Sequence, residues 1–426
     1  MKNSRREMMK WVGAATLSLL PMLGRAAQPA SKGAPRVVVI GAGFGGATAA
    51  KYIRLWEPGI EVVLIERGDR FVSCPLSNLV IGGVATLDQI TSPYEVLEQK
   101  YGIRLVHDEA TAIDLDKKVV RLGKGDAVSY DRLILSPGID INYDEVPGLE
   151  TPEARATILH AWKAGPQTTA LRAQLEALED GGVFAITIPK APYRCPPGPY
   201  ERASLVASYF KRSKPKSKVL ILDANAEVVS KKGLFTKAWE ELYKDTLEYR
   251  PNSELTEVNA ATRTAKFQFE DVQAGVLNVI PPQRAGAIAA NAGLITANKR
   301  WCEVDFLTFE SKVAPYVHIL GDAILAAPAM PKSAFMANNH AKVAADAVIA
   351  LLTGKSVNEH PILANTCYSY VSDRQAIHVA SVHKFDAEKK TFLAVQGAGG
   401  VSAARNEVEA DFAWGWAKNI WADALR

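Results

Sequence analysis

The hydrophobic pattern of the chain predicts short buried strands that alternate with helices. Arg36–Ile40 and Glu61–Ile65 are nearly continuous apolar runs of strand length, and Ala47–Leu55 between them has helical spacing. The same order returns later, with strands predicted at Val183–Ile188 and Lys218–Asp223. Strands and helices in this order predict an α/β fold with two Rossmann-like, dinucleotide-binding units.

The turn after the first strand carries a glycine fingerprint for a dinucleotide. Gly41, Gly43 and Gly46 form G-x-G-x-x-G between a strand and a helix, and Glu66 follows the last glycine by 20 residues. The first glycine permits a tight turn, the second admits a pyrophosphate, and the third lets the helix pack closely on the strand. Glu66 is then expected to accept a hydrogen bond from a ribose hydroxyl.

The corresponding turn of the second unit lacks this fingerprint. It runs from Pro189 to Arg202, contains five prolines and Cys195, and precedes a helix predicted at Ala203–Phe210. Proline removes backbone N–H donors, and side chains fill the space that a pyrophosphate needs. We therefore expect no NAD(P)H here, and the cysteine favours a small substrate that reacts with sulfur.

Two later motifs resemble those that close the FAD site of two-dinucleotide-binding flavoproteins. They are Tyr130–Gly138 and Val317–Ala323, and the resemblance places Gly138 at the site and Asp322 on the ribityl or pyrophosphate region. Their separation predicts a discontinuous FAD domain. The predicted domains are of the pyridine nucleotide-disulfide reductase type: an FAD domain at 36–150 and 284–358, a second Rossmann-like domain at 151–283, and a C-terminal interface region at 359–426.

The positive charge of the chain is concentrated in its first residues. The 426 residues are 48% hydrophobic, enough for two or three packed units, and carry a formal charge of +4. Residues 1–26 hold five basic side chains and one acidic side chain, which leaves 45 of each in the other 400 residues. Without an excess of positive charge in that part, we expect no nucleic-acid partner.

The same residues have the layout of an export signal. A basic start is followed by an apolar run too short to span a bilayer, and small residues precede Ala27. Arg5 and Arg6 lie in a segment that resembles a twin-arginine signal, with an ordinary secretory signal as the alternative. We therefore expect an exported protein of the periplasm.

The cysteines and histidines give no metal signature. None of Cys74, Cys195, Cys302 and Cys367 forms a C-x-x-C pair, and the seven histidines lack metal-ligand spacing. We predict no metal site and no attached c-type haem. A flavin in this chain would therefore need an electron acceptor outside it.

Four segments together resemble the flavoprotein subunit of flavocytochrome c sulfide dehydrogenase, and the resemblance covers nearly the whole chain. They are Phe71–Gly83, Arg194–Arg202, Pro331–Ala334 and Asn365–Tyr368. The resemblance implies that FAD is bound covalently through Cys74 and that Cys195 and Cys367 form a disulfide beside the flavin ring. The alternatives are a buried apolar cysteine at position 74 and a purely structural disulfide. Cys302 matches nothing in the family and is assigned to the core.

The resemblance also implies a reaction. Hydrosulfide attacks the disulfide, leaving a persulfide on one cysteine and a thiolate on the other; two electrons reach FAD and pass singly to a c-type cytochrome subunit. Glu201 is a candidate for proton transfer or for tuning the pKa of a cysteine. A solvated glutamate, or one in a salt bridge near Arg202, is the alternative.

The last residues, Asn406–Arg426, have a helical distribution of apolar side chains. Acidic side chains outnumber basic ones there, which favours packing against the flavin or a cytochrome over stable membrane insertion. Trp421 is placed near the flavin ring. Two other functions stay open: a sulfide:quinone oxidoreductase, and an accessory flavoprotein that acts on persulfides of a sulfur-carrier protein.

Overall fold

A computed structural model of the chain describes residues 33–426, so the predicted export signal at 1–26 lies outside the described residues. The helices are α1 (Phe44–Trp56), α2 (Ser77–Ile81), α3 (Glu95–Tyr101), α4 (Pro152–Thr157), α5 (Pro166–Ala177), α6 (Gly198–Ser213), α7 (Lys232–Leu242), α8 (Ala287–Asn291), α9 (Ala334–Thr353) and α10 (Glu407–Leu425). The strands are β1 (Arg36–Ile40), β2 (Glu61–Ile65), β3 (Arg70–Val72), β4 (Thr91–Pro93), β5 (Arg104–Val106), β6 (Ala110–Asp114), β7 (Val119–Leu122), β8 (Ala127–Ser129), β9 (Arg132–Leu135), β10 (Ile139–Ile141), β11 (Val183–Ile188), β12 (Lys218–Asp223), β13 (Leu247–Arg250), β14 (Glu257–Asn259), β15 (Thr264–Lys266), β16 (Asp271–Gln273), β17 (Val276–Val279), β18 (Gln283–Ala285), β19 (Val317–Ile319), β20 (Ile362–Tyr370), β21 (Ala376–Asp386) and β22 (Thr391–Val401).

A five-stranded parallel sheet forms the first unit, in the order β19-β9-β1-β2-β5. Strands β1 and β2 have the predicted bounds, and Val38 pairs with Val63 on one side and with Leu133 on the other. These residues are fully buried, as expected for a parallel sheet covered on both faces. The sheet joins strands from both sequence stretches assigned to the FAD domain, because β19 lies at its edge.

The glycine turn joins this sheet to α1, which begins at Phe44, earlier than predicted. Gly45 and Gly46 lower helix propensity, but both are buried in the first turn of the helix. A Cβ on Gly46 would lie 1.8 Å from the carbonyl oxygen of Gly41, which itself has a φ of +91°. Glycine at these positions therefore allows the close contact between helix and strand.

A four-stranded parallel sheet forms the second unit, in the order β13-β12-β11-β17. Each unit also contains a three-stranded antiparallel sheet, which is β6-β7-β8 in the first unit and β14-β15-β16 in the second. Helix α6 begins at Gly198, before the predicted start at Ala203, because Pro199 is compatible with the first turn of a helix. The predicted α/β fold with two Rossmann-like units is confirmed.

The C-terminal region consists of the antiparallel sheet β20-β21-β22 and α10, which packs on α1 as well as on this sheet. The side chain of Asn406 caps α10 by accepting from Glu409 N at 2.8 Å. At the other end, the buried Lys51 of α1 donates to the backbone carbonyls of Ala422, Asp423 and Arg426. None of the helices within residues 33–426 has the length and hydropathy needed to cross a bilayer.

Candidate active site

A groove runs along the carboxyl edge of the first sheet, where parallel α/β folds bind their ligands. One part, of about 520 Å³, is lined by Gly41, Gly43, Glu66 and Gly138 among others. It adjoins a cavity of about 200 Å³, since Gly43, Gly138 and Ser136 line both. The fold therefore brings these four predicted cofactor-binding residues to one groove, with Gly46 beneath it in α1.

Glu66 is fixed at the edge of this groove by backbone contacts. Its carboxylate accepts from the amides of Ala42 at 2.8 Å and Gly68 at 2.9 Å. The acid thus supports the glycine turn as well as facing the space where a ribose is expected.

Three of the four cysteines line the adjoining cavity, which we call the cysteine cavity. Cys74 comes from the loop between β3 and α2, Cys195 from the loop before α6, and Cys367 from β20. All four cysteines are free thiols in the structure, so the Cys195–Cys367 disulfide stays a prediction. Cys302 is fully buried, as predicted.

The turn at Cys195 directs its thiol into the cavity. Cys195 has a φ of +57°, and its amide donates to Lys332 O at 2.9 Å. A Cβ on Gly198 would lie 2.9 Å from the Cys195 sulfur, so only glycine leaves room for the sulfur at the start of α6. Burial raises the pKa of the Cys195 thiol, and nearby Cys367 and Glu201 raise it further.

Glu201 lies buried in the wall of the cysteine cavity, with 7% of its surface exposed. Its two oxygens accept from Tyr370 N and from Asn78 Nδ2, both at 2.8 Å. Arg202 points elsewhere, donating to the carbonyls of His160 and Ala161. The described chain contains no salt bridge at Glu201, so the solvated or salt-bridged alternative is wrong. Burial raises the pKa of this carboxyl.

Lys231 is a buried neighbour of the cysteine cavity that the sequence did not predict. It precedes α7 and is buried, and its Nζ donates to Cys367 O at 3.3 Å and to Ser369 Oγ at 2.8 Å. Burial lowers its pKa to about 8. No sequence signal separates it from the exposed Lys232 beside it.

Trp421, predicted to lie near the flavin ring, does not line the cysteine cavity. Its indole is buried and donates to Ser73 Oγ at 2.9 Å, behind the loop that carries Cys74. Trp416 lines the cysteine cavity instead. The two tryptophans are five residues apart, which places them on different faces of α10.

Asp322 lines the same cavity with an unused acceptor. Its Oδ1 is buried and accepts no hydrogen bond from any described residue. Burial raises the pKa of this carboxyl, while Arg194 and Lys332 oppose the shift. Because a buried acceptor without a partner is rare in folded proteins, this atom indicates a group that the site is built to bind.

The two Rossmann-like units, the glycine groove and the cysteine cavity define a flavoprotein of the pyridine nucleotide-disulphide oxidoreductase class, whose family model matches residues 35–173. Residues 168–281 match the central part of the sulfide dehydrogenase [flavocytochrome c] flavoprotein chain, and residues 359–425 match the flavin-binding part of flavocytochrome c sulphide dehydrogenase. The chain belongs to the family of flavoprotein chains of flavocytochrome c sulfide dehydrogenases.

Individual relatives agree with this assignment. The sulfide dehydrogenase flavoprotein chain of Chlorobaculum thiosulfatiphilum is 56% identical over 48 residues, which are 11% of this chain and 100% of that relative. Mouse mitochondrial sulfide:quinone oxidoreductase is 25% identical over 310 residues, 67% of this chain and 65% of the relative, so the match spans just under two thirds of its length. The solved structure of sulfide:quinone oxidoreductase from Aquifex aeolicus has the same fold, with a TM-score of 0.77, 18% identity and 92% of each chain covered.

The groove fits the FAD of this flavoprotein family. No atom lies within 4 Å of the position of a Cβ on Gly43, so the backbone is open to a pyrophosphate there. In the adjoining cysteine cavity, Asp322 Oδ1 accepts no hydrogen bond from a described residue and is available to accept one from a hydroxyl of the cofactor. Gly41, Gly43, Glu66, Gly138 and Asp322 would therefore hold the cofactor.

Proposed function

We propose that this chain oxidises hydrosulfide to sulfur or polysulfide through Cys195, Cys367 and FAD, and that a c-type cytochrome subunit receives the electrons. One observation carries the proposal. Two cysteines 172 residues apart in the sequence line a single cavity that adjoins the dinucleotide groove. Membership of the sulfide dehydrogenase family supports the choice of substrate.

The cysteine pair carries out the sulfur chemistry. In the oxidised protein the pair forms a disulfide, and hydrosulfide breaks it to give a persulfide on one cysteine and a thiolate on the other. A second hydrosulfide takes the outer sulfur, which releases a disulfane anion and leaves one thiol and one thiolate. Re-forming the disulfide then yields one proton and two electrons, which FAD, when bound, accepts as a pair and releases singly.

Glu201 is the acceptor we assign to the proton. Its carboxylate is held in the cavity wall by Tyr370 N and Asn78 Nδ2. A carboxyl whose pKa is raised by burial is a stronger base than one in water, and it suits proton transfer near neutral pH.

Cys74 is the residue we propose for covalent attachment of FAD. It lines the cysteine cavity together with Cys195 and Cys367. A thioether would retain the flavin in the periplasm, where we propose that the export signal at residues 1–26 delivers the protein.

Anaerobic titration with sulfide tests the proposed reaction. We expect sulfide to bleach the flavin of the wild-type protein, and expect Cys195→Ser and Cys367→Ser to keep bound FAD without being bleached. Cys302→Ala is the control, because Cys302 lies outside the cavity and should not affect bleaching. A double variant, Cys195→Ser with Cys367→Ser, that is still bleached by sulfide would refute the mechanism.

A quinone acceptor is the second candidate, favoured by the shared fold with the Aquifex aeolicus sulfide:quinone oxidoreductase. The two acceptors are distinguished by adding oxidised cytochrome c or a quinone analogue in membranes to the sulfide-reduced protein. Fast oxidation by cytochrome c supports the first candidate, and oxidation by the quinone alone supports the second.

A further inference from the structure

The structure assigns Lys231 a positioning role: its ammonium stabilises the thiolate of Cys367 when the cysteine pair is open. This inference rests on the proposed function, since it concerns the same two cysteines. It predicts that the two thiols differ in acidity and that Cys367 holds the negative charge.

Lys231 is held beside Cys367 by contacts to a single strand. Its Nζ donates to the carbonyl of Cys367 itself and to Ser369 Oγ, two residues further along β20. The residue has a φ of +55°, an uncommon backbone conformation for lysine, where the chain turns into α7. The ammonium therefore cannot move away from β20 without breaking both contacts.

The ammonium has no carboxylate partner of its own. In the described part of the chain, Lys231 takes part in no salt bridge, although it is buried. A carbonyl and a hydroxyl satisfy its hydrogen bonds but do not neutralise its charge, and an unpaired buried charge is costly. A thiolate on Cys367 would supply the missing negative charge.

Four groups that can carry negative charge act electrostatically on Lys231 from separate elements. They are Cys367 on β20, Glu201 on α6, Cys195 in the loop before α6, and Glu409 on α10. All four oppose the effect of burial on the pKa of Lys231, and Cys367 has the largest influence. Of the four groups, Cys367 therefore has the strongest electrostatic interaction with the ammonium of Lys231.

The two thiols have different surroundings. Burial raises the pKa of both, but at Cys367 the first opposing influence is Lys231. At Cys195 the next influences after burial, Cys367 and Glu201, raise the pKa further, whereas Arg194 and Lys231 lower it by smaller amounts. Lys231 ranks higher among the influences on Cys367 than among those on Cys195, which favours Cys367 as the more acidic thiol.

Alkylation of the thiols tests the inference without using sulfide. The full-length, flavin-containing protein is reduced and labelled with iodoacetamide over a range of pH, and the labelling of Cys195 and Cys367 is followed separately by peptide mass spectrometry. We expect Cys367 to be labelled at lower pH than Cys195. A shift of one unit in the pKa of a thiol changes its thiolate fraction about tenfold. We therefore expect Lys231→Met to slow labelling of Cys367 near neutral pH about tenfold.

Two further variants complete the experiment. Lys231→Arg keeps the charge and should label like the wild-type protein, as should Lys232→Met, which removes the exposed neighbouring lysine. Labelling of Cys367 in Lys231→Met as fast as in the wild-type protein would overturn the inference. If Lys231→Met does not fold, the wild-type protein alone decides, since faster labelling of Cys195 at low pH also overturns it.

The experiment separates this inference from the proposed function. Labelling needs neither sulfide nor an electron acceptor, so equal thiols in a protein that sulfide still bleaches would refute only the role of Lys231. Unequal, Lys231-dependent thiols in a protein that sulfide does not bleach would refute only the proposed reaction.

Discussion

At the scale of single residues, Glu201 and Arg202 show how adjacent charged side chains acquire different roles. Both are buried on α6, and Asn78 separates them by donating to Glu201 Oε2 at 2.8 Å and accepting from Arg202 Nε at 3.1 Å. Arg202 is used inside the protein, where it donates to the carbonyls of His160 and Ala161. Glu201 keeps its carboxylate at the cysteine cavity, where it is available for proton transfer.

We expect Glu201→Gln to slow sulfide-dependent bleaching about a hundredfold, the lower range for loss of a general base. In the wild-type protein the rate should fall as the pH is lowered through the raised pKa of Glu201, because protonation removes the base. The variant should lose this fall on the acid side. Stopped-flow absorbance of the flavin over a range of pH measures both effects.

The control is Glu240→Gln, which removes an exposed carboxylate from α7. Thermal unfolding gives a second readout for Glu201→Gln. A carboxyl whose folded pKa is raised binds its proton more tightly in the native state, so the stability it contributes is lost as the pH rises through that pKa. The Gln variant should therefore gain stability relative to the wild-type protein as the pH rises through that pKa. Rates of sulfide-dependent bleaching that are unchanged in this variant would contradict the role assigned to Glu201.

Covalent attachment at Cys74 is tested by precipitating the protein with acid. The yellow colour should stay with the wild-type precipitate and appear in the supernatant of Cys74→Ser. Cys302→Ala serves as the matched cysteine variant and should retain the colour in the pellet. Release of all flavin from the wild-type protein would show that the cofactor is not bonded to it.

At the scale of elements, the two Rossmann-like units place an acid at the same position and use it differently. Glu66 follows β2 and lies at the open groove, whereas Asp223 ends β12 and is fully buried. Asp223 Oδ2 accepts from Tyr200 OH at 2.7 Å and from Tyr249 OH at 3.0 Å. In the second unit, two tyrosine hydroxyls thus already donate to the carboxylate that would otherwise accept a hydrogen bond from a ribose.

We therefore expect NADH to leave the flavin oxidised in an anaerobic titration. Two features exclude NADH from the second unit. They are the proline-rich turn before α6 and the carboxylate of Asp223, which already accepts hydrogen bonds from two tyrosines. Sulfide added at the end of the same titration serves as the positive control. Bleaching by NADH alone would show that the second unit still binds a nicotinamide nucleotide.

The sequence predicted the elements whose hydrophobic pattern is unambiguous. Strands β1, β2, β11 and β12 have the predicted bounds because both of their faces are buried. The starts of α1 and α6 were missed, since glycine and proline there follow local packing rather than helix propensity.

The site was predictable only where a motif or a family resemblance marked it. The glycine turn and Glu66 follow from spacing, and the three cysteines of the cavity follow from the resemblance. Lys231 was not predictable, because its contact with Cys367 joins parts of the chain more than a hundred residues apart. Trp416, which lines the cysteine cavity, was not predicted, because apolar residues cover both faces of α10.

At the scale of the whole molecule, the C-terminal region forms a wall between the cysteine cavity and the surface. Tyr368 and Trp416 line both the cavity and an outer groove of about 540 Å³. Phe412 lies in that groove with 57% of its surface exposed. Exposed aromatic residues at a groove are typical of interaction sites, and this one lies next to the proposed flavin site.

We expect Phe412→Ser to lower the rate at which the sulfide-reduced protein reduces the proposed cytochrome partner at least severalfold, with sulfide bleaching unchanged. The physical reason is loss of apolar area in the outer groove, which shares Tyr368 and Trp416 with the cysteine cavity. Val313→Ser, at an exposed apolar residue outside this groove, is the control. Equal rates for both variants would place the cytochrome elsewhere on the surface.

The pairing of β9 with β19 determines when the protein can take up its cofactor during its biosynthesis. Asp322 joins the groove only after the inserted second unit has been translated, and Cys367 and Trp416 come later still. A nascent chain on the ribosome therefore offers only a partial flavin site, and cofactor capture follows translation. Export by a twin-arginine route would then require capture in the cytoplasm, before the folded protein is carried across the membrane.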